Sequence, residues 1–169
     1  MNIFAGVTEG PYRVVLLLHI LCAIVGLGGV MLNGIYATAS RKAIGQGAIV
    51  LVRANAKATK IAEYFIYAVP ILGLALIGMS DEAWGFDQTW VWLSTVIYAA
   101  ALAISIGLLL PSARQYERVV AQIESAGTAP TPEVETMLDG VLKKQAGLGS
   151  SLHLITVVLL YLMIWKPGA

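Results

Sequence analysis

Three side chains of this 169-residue sequence have the chemistry to hold a redox-active metal or cofactor: His19, Cys22 and His153. A neutral imidazole ligates haem iron or copper, and two histidines from facing helices can hold one haem between them. Cys22 follows His19 by three residues, on the same helical face, where a thiolate would add a soft copper ligand. A single cysteine excludes an intramolecular disulfide framework and any multi-cysteine zinc or iron–sulfur site. No Cys-x-x-Cys-His run is present, which excludes covalent c-type haem. His-x-x-x-His spacing, a phosphate-binding loop and a dinucleotide fingerprint are also absent. A structural reading competes: each histidine is hydrogen-bonded within a helix bundle, and Cys22 is a small buried hydrophobe.

The elements that must position these groups are membrane helices. The chain is 58% hydrophobic and 12% charged, with a mean hydropathy of +0.78. Soluble domains are typically ~45–50% apolar and ~25% charged, so an ordinary soluble enzyme is excluded. Apolar stretches over residues 14–38, 61–79, 90–110 and 148–165 each suffice to cross a ~30 Å hydrocarbon core as a helix. Strands with open edges would leave backbone groups unpaired in lipid. The expected fold is therefore all-α: one up-down-up-down integral-membrane four-helix bundle over residues 1–169, its helices extended on the cytoplasmic side. The first span reads as a retained helix, because Met1 to Gly10 carries no basic residue and the apolar run exceeds a signal-peptide core.

The cations set the expected orientation. Arg41, Lys42, Arg53, Lys57 and Lys60 lie in the first inner connection, and Arg114, Arg118, Lys143 and Lys144 in the second. Only Arg13 and Lys166 lie on the other side, which puts both termini outside a bacterial cytoplasmic (inner) membrane. Trp84, Trp90, Trp92 and Trp165 fall near that outer face, as an interfacial belt would. The four apolar spans make the lipid bilayer the expected environment, and the net charge of +1 gives no sign of a nucleic-acid partner. Gly45-Gln46-Gly47 and Gly127 to Pro130 read as breakers inside long helical hairpins, with Thr131-Pro132-Glu133 starting the last helix.

His19, Cys22, Gly26, Gly29, Asn33 and Tyr36 recur at intervals of 3, 4, 3, 4 and 3, a heptad seam that faces one neighbour. Glycines on it permit close backbone approach. Gly149, His153 and Thr156 form a stripe on the last helix, and Ser94, Tyr98, Ala101 and Ser105 one on the third. The second helix carries Glu63, read as an interfacial carboxylate in preference to a proton-relay group, then Tyr67 and a kinking Pro70. At ~1.5 Å per residue, His19 lies about 10 Å from the outer face and His153 about 18 Å. That difference disfavours one haem shared by both and ranks the shallower His19 first.

The run His19-Ile-Leu-Cys-Ala-Ile-Val-Gly-Leu-Gly-Gly29 resembles the opening helix of the CopD-like group of four-helix bacterial membrane proteins. That group includes copper-resistance membrane proteins and HemJ-type protoporphyrinogen oxidases. The run Val30-Met-Leu-Asn-Gly34, and the tail from Ser151-Leu-His-Leu-Ile-Thr156 through Trp165-Lys-Pro-Gly168, look like a bacterial integral-membrane family of this size and of unknown function. The resemblance implies a haem- or metal-binding histidine in the first helix, where His19 stands, with His153 the candidate for a second. Gly26 replaces the group's usual aromatic residue, and no intramembrane cation suits an acidic porphyrin substrate, so the implication stops short of oxidase activity.

Two functions remain open on this reading. One is a small membrane protein binding b-type haem or copper, for electron transfer or cofactor handling. The alternative is a non-catalytic accessory subunit of a larger membrane complex, or a homo-oligomer, packed through Gly73, Gly78, Gly107 and Ala99-Ala100-Ala101. A channel for a small neutral species is a third class, weakened by the lack of charged residues in mid-span.

Overall fold

The computed structural model describes residues 7–42, 46–127 and 129–169. Helix α1 spans Gly10–Lys42 and α2 Gln46–Gly78. Helix α3 (Thr89–Ile104) runs through a π-helical segment (Ser105–Leu109) into α4 (Leu110–Ala126), and α5 spans Pro132–Trp165. Four helices are thus long and apolar enough to cross a membrane, and no strand occurs among the described residues. The fold is the expected all-α membrane bundle. A 33-residue helix such as α1 is about 50 Å long at ~1.5 Å per residue, well beyond a ~30 Å core. The helical hairpins are therefore as extended as the sequence implies.

Chain breaks follow local chemistry. Gly127 caps α4 at φ 64°, a left-handed position that costs glycine nothing. Thr131, in extended conformation, caps α5 ahead of Pro132, with Glu133 in the first turn. Of the breaker Gly45-Gln46-Gly47, Gly45 lies outside the described residues, and α2 begins at Gln46. The π segment has a local cause. Pro111 has no N–H to offer the carbonyl of Gly107, and its ring would crowd that turn. The chain widens just before it, and the Leu110 N–H reaches back to the carbonyl of Ser105.

Helix α1 packs along α2, and α3, the π segment and α4 pack along α5; α1 with α5 and α2 with α4 close the bundle. The α1 seam faces α2. A Cβ on Gly26 would lie 2.9 Å from Ile66 Cγ1, and one on Gly29 would lie 2.5 Å from Ala62 Cβ. Thr59 donates to Asn33 Oδ1 at 2.9 Å lower on the same seam. Away from it, Val14, Ile24 and Ile35 are 57%, 63% and 64% exposed, as side chains that meet lipid must be.

The end of the bundle at Tyr12, Trp84 and Lys166 is closed by aromatic contacts. Trp84 Nε1 donates to the Tyr12 hydroxyl at 3.1 Å, Trp84 meets Trp90 edge to face at 5.5 Å, and Lys166 Nζ lies 3.7 Å over the Trp84 ring. Partial burial there holds the Lys166 ammonium below the usual lysine value. Trp92 and Trp165 instead stay exposed on the outer surface of the bundle.

Pro70 has a specific compensation. It cannot donate to the carbonyl of Ile66, and the Tyr98 hydroxyl does so from α3 at 2.8 Å. Tyr98→Phe should therefore cost about 1–2 kcal/mol of stability in detergent. In a Pro70→Ala background the restored N–H supplies the missing donor, and the same substitution should cost less than half as much. Equal costs in the two backgrounds, measured by unfolding in mixed micelles, would refute the pairing.

Candidate intramembrane ligand sites

The two histidines occupy separate sites. His19 sits between α1 and α2, its Nδ1 3.0 Å from the carbonyl oxygen of Val69. A carbonyl only accepts, so Nδ1 carries the proton and Nε2 keeps its lone pair. The ring has room because residue 73 is glycine; a Cβ there would lie 3.3 Å from His19 Cε1. A backbone carbonyl fixes the tautomer in this way for ligating histidines and for structural ones alike. Cys22, one step along the seam, is a half-buried free thiol. No group of three or more His, Cys, Asp or Glu side chains is placed to hold a metal ion among the described residues. A copper ion at His19 and Cys22 would thus draw further ligands from elsewhere.

His153 lies across the bundle. It lines a groove of about 250 Å³ between α1, α2, the α3–π rod and α5, and His19 does not reach it. The walls are apolar (Val30, Ile66, Leu102 and Leu159 among them), with Tyr98, Ser105 and Thr156 as the other polar side chains. His153 Nε2 is buried there without a hydrogen-bond partner. Thr156 spends its hydroxyl proton on the carbonyl of Leu152 at 2.9 Å.

A third polar cluster joins all four long helices at the other end of the seam. Tyr36, Asn55, Thr59, Tyr116, Glu117 and Gln145 surround a cavity of about 20 Å³, enough for one water. Asn55 Oδ1 and Gln145 Nε2 are buried there without partners in the chain, and such a water would bridge acceptor and donor. Sequence reading passed over both residues. Asn55 extends the α2 series Thr59, Ala62, Ile66 and Val69 at seam spacing, and Gln145 precedes Gly149 and His153 at intervals of four. Below them Arg53 and Glu124 form an exposed ion pair at 2.8 Å.

Four membrane-length apolar helices, with polar side chains gathered on their mutual faces, define an integral membrane protein. The chain belongs to the family described as Predicted integral membrane protein (DUF2269), whose model matches residues 13–167. No curated protein and no solved structure matches it.

Proposed function

We propose that this membrane protein binds b-type haem through His19, for electron transfer or cofactor handling. The observation that carries the reading is the Nδ1 contact to the Val69 carbonyl, which leaves Nε2 as an oriented, unprotonated donor. The likeness of the His19–Gly29 run to the CopD-like opening helix supports it. A copper site at His19 and Cys22 is the variant of this reading that metal analysis would separate. An absorbance spectrum of detergent-purified protein, made with ample haem, is its direct test. A Soret band with bound iron is expected, and a spectrum without one in a preparation free of copper ends the reading.

A homo-oligomer or accessory subunit is the second reading. Gly28, Gly34, Gly78 and Gly107 each have open space where a Cβ would stand, on helices whose apolar faces are uncovered. Native mass spectrometry separates the two: a monomer carrying one cofactor favours the first, and a dimer without cofactor the second.

The orientation belongs to the same proposal, with both termini outside a bacterial inner membrane. In intact cells, a cysteine replacing Gln88 in a Cys22→Ser background should react with a membrane-impermeant thiol reagent. One replacing Gln46 should stay protected until the cells are opened. The reverse pattern would invert the topology and place His19 near the cytoplasm.

A further inference from the structure

The groove at His153 has a size, an entrance and a polar atom that together specify a ligand class. We propose that it binds the ring of an isoprenoid quinone or quinol. The volume, about 250 Å³, exceeds the roughly 150 Å³ that takes benzene and falls short of the roughly 300–1,000 Å³ of drug-sized pockets. A single substituted ring fits, and a porphyrin does not. The rim residues Met31, Val157 and Leu160 are 59%, 62% and 51% exposed on the lipid-facing surface. The mouth therefore opens sideways into the bilayer. A ligand dissolved in the membrane can enter there and leave a long apolar tail outside.

The polar end of that ligand is set by His153. The His153 ring lines the groove and makes no hydrogen bond among the described residues. Nε2 itself is sealed within the wall and unpaired, so a half-turn of the ring brings a nitrogen to the ligand. A neutral imidazole donates or accepts according to its tautomer. It can therefore donate to a quinone carbonyl and accept from a quinol hydroxyl, serving both forms with one side chain. Ser105 supplies a second polar contact from the first residue of the π segment, and its hydroxyl makes no hydrogen bond among the described residues. Such segments recur where helices widen around ligands. A fatty-acid or phospholipid chain would leave Nε2 unpaired, and no cation lines the groove to hold an anionic head. The site stands whether or not His19 carries haem, since His19 does not line it.

Its test uses the full-length protein, purified in mild detergent from quinone-containing membranes and extracted with organic solvent for mass spectrometry. Wild type is expected to retain close to one quinone per chain. His153→Leu removes the polar contact, and Ala101→Phe fills the groove from α3 while leaving residue 153 a histidine. Each should lower retention at least tenfold while circular dichroism stays unchanged. A parallel titration with a ten-carbon-tailed ubiquinone should shift the imidazole ¹⁵N resonance of His153, whereas an alkylbenzene of equal tail length should not. Equal quinone retention in all three proteins, an extract holding only phospholipid, or identical shifts with both probes would overturn the assignment.

Discussion

Gly29→Leu is expected to lower the melting temperature of the purified protein by several degrees and to loosen α1 from α2. At Gly29 a lone Cβ would already lie 2.5 Å from Ala62 Cβ, where ordinary carbon contacts are ~3.5–4.0 Å. Leucine adds three more carbons to a place with no room for the first. Overpacking of this kind costs about 1–3 kcal/mol, and each kcal/mol moves the midpoint ~2–4 °C in a chain of this size. Gly28→Leu is the matched control, because a Cβ there meets nothing within 4 Å and the side chain points away from the seam. A drop of more than ~2 °C for Gly28→Leu, or none for Gly29→Leu, would show that the seam is not the contact that holds the first hairpin.

His19→Ala should abolish the Soret band or convert it to the spectrum of a haem lacking its histidine ligand. The substitution removes the only imidazole of the α1–α2 seam, and an iron left one ligand short loses affinity or changes spin state. Added imidazole should restore part of the wild-type spectrum, an effect that a purely structural role for His19 would not produce. His153→Leu should leave the spectrum unchanged, since its ring lines a separate groove too small for a porphyrin. Loss of haem in His153→Leu alone would transfer the ligand role across the bundle. Unaltered spectra in both variants would make the two histidines structural.

Much of the architecture was legible because lipid leaves the backbone few choices. A long apolar run must satisfy its own N–H and C=O groups, so hydropathy alone implied α-helix and the count of spans. The seam from His19 to Tyr36 was legible too, since spacings of three and four mark one helical face and the glycines on it require a close neighbour. The start of α5 at Thr131-Pro132 and the stop of α4 at Gly127 followed from local backbone preferences.

Which helix covers that seam, and what each polar group touches, is a property of the tertiary packing. Nothing periodic in α1 says that Gly26 and Gly29 meet Ile66 and Ala62 rather than residues of α5. Pro70 announces a freed carbonyl, but only the bundle brings Tyr98 to it from another helix. Along the chain the two histidines differ only in depth, in the glycine seam around His19 and in the resemblance of the first helix. In the fold, His19 is anchored on the Val69 carbonyl, whereas the His153 ring lines a groove and its Nε2 is buried with no partner. Local sequence determines the face a side chain occupies, because helical geometry repeats every few residues. Its partner is decided by residues tens of positions away, through interhelical distances that no local pattern encodes.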